Sequence, residues 1–283
     1  ITVSRQATSD TTNLPNIQYC MRFQRNSGQT GTAAMNIVNT FETINSIAYA
    51  GKQVTLSFYA RAGANYSATS NALTATILTG TGTDQNPFSG FTGSTGNTTT
   101  ATLTTTWQRF TYTATIGTTV TQLAVYFGFT PTGTAGAADY YEVTGVQLEI
   151  GSAATPYFPN QPTYATELDA CKRYYQVMNK NAWSYFGGAV NANNADCPIT
   201  FEKEMRTAPT VTLAAVGSTA GKISFLTSSG GYPGTFGTVS ANTITRFGFD
   251  LVGTGFTSAF TAGNATGLYA TNATDIYTAS AEL

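Results

Sequence analysis

The chain has 283 residues, of which only 10 % are charged against about 25 % in ordinary soluble proteins, and 13 basic against 14 acidic side chains leave a net charge of −1. The balance holds in both halves, six basic and six acidic residues up to 160 and seven and eight beyond it, so neither half carries the basic footprint that nucleic acid requires. With no histidine, the commonest general base, the Ser–His and Cys–His nucleophile pairs and the HExxH metalloprotease site are all excluded.

The length suits two domains of ordinary size, each with its own core, and they are expected at 1–160 and 161–283. Residues 1–160 read as short strands separated by Gly, Thr, Asn and Ser turns. Ala33–Ile37 and Ile44–Tyr49 are weak candidates, whereas Val54–Arg61 alternates apolar and polar side chains over its whole length. Leu73–Leu78, Trp107–Ile116, Gln122–Phe129 and Tyr140–Ile150 follow at the spacing of a sandwich or jelly roll, with Trp107 expected in or near the core. Residues 79–100 have almost no apolar spacing and are expected to form a long exposed loop.

Pro156, Pro159 and Pro162 then make a semi-rigid connector, because proline removes backbone donors and biases the preceding residue away from helix. A helix is expected next, capped by Thr163 or Thr166, with Glu167 and Asp169 near its positive end and Leu168, Cys171, Tyr175 and Met178 as its apolar seam. That seam serves either packing on its own domain or a threefold axis between copies, being too short for an autonomous coiled coil. Beyond it the strands expected are Trp183–Val190, Pro198–Glu204, Thr210–Val216, Lys222–Leu226, Thr243–Val252 and Ala273–Glu282. The fold class is therefore all-β: an N-terminal jelly-roll sandwich, one linking helix and a C-terminal sandwich-like tip.

The chemistry available is sparse. Phosphate-binding glycine loops and the GxSxG elbow are absent, and no apolar run approaches the ~18 residues of a membrane helix, so membrane insertion is not expected. The chain starts at Ile1 without an initiator Met, as a fragment or processed form would. Glu202 and Glu204 would share one face of a strand, within the range of a glycosidase pair, but FEKEMR also alternates charge as solvated strands do. Asp139 and Glu142, with Glu149, could hold a structural calcium; no other cofactor is expected. Cys171 and Cys197 could be bridged, or Cys20, Cys171 and Cys197 could be three buried thiols.

Aromatic rings in loop-like sequence are candidate platforms for sugar faces: Tyr66, Phe88, Phe91, Tyr232 and Phe236. Trp183 and Tyr185 are candidates too, although packing against the helix would equally account for them, and Asn193, Asn194 and Asp196 could bridge hydroxyls.

The segments GVQLEIG, ATPY and ELDACKRYYQ together resemble a junction of bacteriophage tail-fibre and minor structural proteins, in which a strand closes a jelly roll and a CKRYY helix opens a distal domain. VTLSFYARA, TTWQRFTYTATI, LAVYFGF and ADYYEVTGVQLEIG follow one another as in carbohydrate-binding-module-like jelly rolls. Met205–Val211 and Ala281–Leu283 extend the resemblance more weakly. It implies a non-enzymatic protein of the virion exterior, generally a homotrimer, that binds a bacterial surface glycan or other host receptor and contacts other virion proteins. A purely structural connector or head-decoration protein is the alternative, and a polysaccharide-degrading tailspike a third, although the long β-helix repeat of that class is missing.

Overall fold

A computed structural model describes residues 1–157, 164–219, 222–226, 237–257 and 260–282, with backbone alone at 164, 179–184 and 271–274. Among the described residues the chain is all-β with two short α-helices and the paired strands are antiparallel, and it divides into two compact units, Ile1–Asn160 and Gln161–Glu282. Most of the proline connector, residues 158–163, lies outside the described residues.

The first unit is a sandwich of two sheets. One runs β1 (Thr2–Ala7), β2 (Tyr19–Gln24), β9 (Tyr140–Ile150), β4 (Gln53–Ala62), β7 (Gln108–Thr115); the other runs β3 (Met35–Phe41), β8 (Gln122–Phe129), β5 (Ala72–Gly80), β6 (Thr95–Thr102). Alternation in β4 explains why: Val54, Leu56, Phe58 and Ala60 are wholly buried between the sheets, which places Ser57, Tyr59 and Arg61 on the opposite side. Phe58 meets Phe127 of the facing sheet edge-on at 4.8 Å between ring centroids. Each such side chain contributes about 1.5–3 kcal/mol on burial.

Three sequence expectations change here. Residues 44–49 are helical, an α-turn α1 (Thr43–Ser46) running into a 3-10 turn, because Ile44 and Ile47 recur at three residues rather than two and both stay exposed. The buried Ser46 hydroxyl donates to Glu42 O and accepts from the Leu123 amide, which ties this turn to β8. The expected loop 79–100 ends early: Thr95–Thr102 is strand β6, in unbroken register with β5 from Thr79↔Thr95 to Ala72↔Thr102. An edge strand of threonines needs no apolar alternation to pair, since Thr favours the extended backbone on either face. Finally β1 and β2 form where no strand was expected, since the alternate positions of β1 carry Arg5 beside Val3.

The outer face of the five-stranded sheet is covered from both ends. Residues 8–18 fold over it and bury Leu14 against Cys20 and Trp107, the tryptophan expected in the core. After β9 the chain turns back as a strap: Gly151 O accepts from the Thr55 hydroxyl, Thr155 donates through N and Oγ1 to the Glu149 carboxylate, and Arg109 Nη2 donates to Thr155 O at 2.5 Å.

The second unit opens with α2 (Tyr164–Lys172), and the chain is already in strand β10 (Tyr175–Asn191) three residues later. Tyr175 and Met178 are therefore strand residues, not the end of a helical seam. YYQVM favours extended backbone, and β10 gains pairing along its length with β16 (Ala265–Ser280), which a longer helix would forfeit. The remaining strands, β11 (Asn194–Thr200), β12 (Thr210–Leu213), β13 (Ile223–Leu226), β14 (Thr238–Asn242) and β15 (Gly248–Thr254), complete a sheet in the order β12-β16-β10-β11-β15-β14, with β13 also on β16. Phe201, Phe249, Tyr277, Phe225 and Phe256 fill its core with edge-on and tilted ring contacts. Among the described residues no helix is long and apolar enough to cross a membrane, which says nothing of strands.

Candidate ligand-binding face

The two outer faces of the first unit differ in charge. On the five-stranded sheet the buried Glu142 carboxylate accepts from Arg22 Nε at 2.8 Å and from Arg61 Nε at 2.5 Å, and Arg109 is tied to Ser57 and the strap. Those groups are consumed by one another. On the four-stranded sheet, pairing aligns Asn36, Gly128, Thr74 and Thr100 in one row, Val38, Tyr126, Thr76 and Thr98 in the next, and Thr40, Ala124, Leu78 and Gly96 in the third. No side chain in these rows is charged.

Tyr126 stands at the centre of that face, half-buried, and its phenol donates to Asn36 Oδ1 at 2.5 Å. Gly128 makes this possible: a Cβ there would come within 2.2 Å of Asn36 Oδ1 and 3.0 Å of the Tyr126 hydroxyl. With its carbonyl engaged, Asn36 has the protons of its amide nitrogen to offer a ligand. Burial pushes the Tyr126 phenol above its ordinary pKa, with the Asn36 bond acting the other way, so it stays neutral and a donor. The hydroxyls of Thr76 and Thr98 pair at 2.9 Å beside the ring, and Thr98 and Thr100 are exposed. A ring, an amide and several hydroxyls on a rigid, uncharged sheet can stack on an apolar face and exchange hydrogen bonds with hydroxyls around it.

The residues expected from sequence fall elsewhere. Tyr66 is 8 % exposed, its phenol donates to Ala72 O and its ring packs on Phe129, so it is core and not a platform. Phe91 is 5 % exposed and sits against Gly80, plugging the end of the 81–94 loop. Phe88, at 69 %, is the one loop ring of that trio that solvent reaches. Tyr185 is hydrogen-bonded to Tyr277 and packs on the strand core of the second unit, not on the helix. Asn193, Asn194 and Asp196 lie at the β10–β11 turn and the start of β11; Asn193 O accepts from Phe256 N. Trp183 contributes backbone to β10 and its side chain lies outside the described residues, as do Tyr232 and Phe236.

Asp139 and Glu142 do not form a shared oxygen cage. Glu142 belongs to the arginine pair above, and Asp139 sits in a cage whose centre is the guanidinium of Arg25, both side chains wholly buried. Arg25 donates to Asp139 Oδ2 at 2.8 Å, Ser67 Oγ at 3.1 Å and the carbonyls of Gln29, Gly31 and Gly133 at 2.9, 2.8 and 3.1 Å. The positive charge at that point is supplied by the chain itself. Among the described residues no group of three metal-ligating side chains occurs. Glu202 and Glu204 follow the end of β11 rather than sharing a strand face, and they pair with Lys172 and Arg246. All three cysteines are free; Cys20 and Cys197 are buried but Cys171 is exposed.

Sequence reasoning passed over Tyr126 because QLAVYFGF reads as an apolar run buried on both sides. The polar register appears only once β8 lies beside the threonines of β5 and β6.

No family model and no curated protein matches the chain. Among solved structures, a family 4 carbohydrate-binding module aligns at 21 % identity over 47 % of this chain and 71 % of its own, with a TM-score of 0.31. A family 16 carbohydrate-binding module does so at 10 % over 47 % and 77 %, TM-score 0.30. The family 22 xylan-binding domain of Xyn10C from Paenibacillus barcinonensis does so at 11 % over 53 % and 87 %, TM-score 0.31. Scores this low carry no argument about ligands and leave the tail-fibre resemblance where the sequence put it; the sandwich itself is established by its strand order and core.

Proposed function

We propose that the first unit is a non-catalytic module that binds an uncharged glycan on the β3-β8-β5-β6 face, within a protein of a phage exterior that adheres to a bacterial surface. The observation that carries the reading is Tyr126 with its Asn36 bond, set among Thr74, Thr76, Thr98 and Thr100 on a face without charge. A ring stacked on a sugar contributes about as much as an aromatic pair, roughly 0.5–1.5 kcal/mol beyond area burial, so a single site is weak. Several copies on one particle, as in the homotrimer that the resemblance implies, raise overall avidity through effective concentration.

A glycan array probed with the full chain and with Tyr126→Ala tests this. Loss of all positive spots in the variant, with its thermal transition retained, is expected. Unchanged binding by Tyr126→Ala, or binding lost instead with Phe88→Ala, refutes the face. Adhesion to host cells, measured with the labelled full chain, tests the wider role. The connector reading has one observation in its favour: Val3, Tyr19, Val146 and Ile150 are exposed large apolar side chains on β1, β2 and β9.

A further inference from the structure

Between the two sheets of the first unit, at the β3 side, lies an apolar cleft of about 450 Å³ reached by Met21, Ile37, Phe41, Val125, Val146 and Leu148. Its lining carries no charge and a single polar side chain, Asn39. Two strand edges border it. β3 pairs with β8 alone, and among the described residues no other backbone group bonds Met35–Thr40, so every second N–H and C=O along it faces outward unpaired. β2 pairs with β9 only over Tyr140–Val143, so beyond it β9 is paired on one side only, with β4 at Thr144 and at Gln147–Ile150, across a bulge at Gly145 and Val146.

Edges of this kind are normally blunted by a charge, a proline or a bulge. MNIVNTF has none of them, and its register with β8 is unbroken over seven residues. We propose that this cleft receives an extended segment of another polypeptide, which adds a strand at the open edge and sends alternate apolar side chains inward. The unpaired backbone groups call for a strand, and the uncharged lining calls for apolar side chains, because a charge buried there would have no partner. A second copy of this chain fits worse. Joined edge to edge at β3, its five-stranded sheet would enter the layer that β1 and β2 already fill. The inference does not depend on the glycan face, which lies on the opposite surface of β3 and β8.

The test uses the full chain and a capped heptapeptide of alternating threonine and valine, beside the same peptide N-methylated at every second residue. Amide hydrogen exchange over Met35–Phe41 and fluorescence anisotropy of the labelled peptide are the readouts. The plain peptide should protect those amides, and N-methylation should weaken it by about tenfold or more, as should Val146→Arg at the mouth of the cleft. Asn39→Lys, an exposed edge position, is the second variant should Val146→Arg fail to keep its thermal transition. No protection at about 1 mM peptide overturns the proposal. Equal binding of the methylated peptide also overturns it, as does uptake of a fluorescent fatty acid in place of peptide. A concentration-dependent dimer that Val146→Arg dissociates assigns the cleft to a second copy and overturns it too.

Discussion

Replacing Arg25 with Met should be the most damaging single change in the first unit. The guanidinium makes five hydrogen bonds inside the fold, to one carboxylate, one hydroxyl and three carbonyls, and neither it nor Asp139 has any solvent contact. Methionine fills much of the same volume but donates nothing, so the Asp139 charge keeps only its bonds from Ser67 N and Oγ. Breaking one side of a buried pair costs about 3–5 kcal/mol. At about 2–4 °C per kcal/mol for a unit of this size, the transition of the first unit should fall by about 6–20 °C in scanning calorimetry of the full chain. The double variant Arg25→Met with Asp139→Asn should recover a large part of that loss, because replacing both charges removes the uncompensated ion. A single-variant loss below about 1 kcal/mol, or a double variant less stable than the single, would refute the internal-cation reasoning. Because Arg25 provides the charge, EDTA should leave the wild-type transition where it is; a downward shift would show that a metal contributes.

Gly128→Ala should keep the fold, since the clash falls on the movable end of Asn36, but weaken glycan binding on an array as the Tyr126–Asn36 bond is displaced. Burial pushes the Cys20 thiol to about 11 and the Cys197 thiol to about 12, so iodoacetamide at neutral pH should modify the native chain at Cys171 alone and the denatured chain at all three, read by mass spectrometry. The bonds from Thr155, and the strap they hold, depress the Glu149 pKa. A depressed carboxylate stabilises its contacts above its unfolded pKa and loses them as pH falls through the folded value, so Thr155 amide protection by NMR should vanish only below the ordinary carboxylate range. Protection lost near neutrality would contradict it.

How much of this could be read from the residues depends on what each strand has to hide. β8 and β9 occupy the spans expected, because QLAVYFGF is apolar nearly throughout and is buried at every position but Tyr126, while Tyr140–Ile150 sets Tyr141 and Val143 into the core. β6 escaped notice since TGNTTTAT has only Ala101 to bury; its partner β5 makes it a strand. The helix was foreseen but its end was not: three-residue spacing carried Tyr175 and Met178 into it, and the ladder with β16 took them away. Two of the loop rings were misplaced for a related reason, while Phe88 is exposed as expected. Rings flanked by Gly, Asn and Ser were expected at the surface, yet Tyr66 and Phe91 turn inward to close loops, while Tyr126 is hidden in the most apolar run of the unit. Composition tells how many rings there are, and strand pairing decides which of them water touches.

The strap after β9 has a mechanical consequence. Tension applied to the chain beyond residue 157 first meets side-chain anchors, Thr55 and Thr113 on Gly151 and Ser152, and Arg109 and Glu149 on Thr155. Under a pull along β9 these are loaded one after another and can peel singly, releasing a few residues of slack, whereas the β4–β9 ladder behind them is loaded in shear along its length. Pulled that way, the unit would give a short extension before its sheets are disturbed.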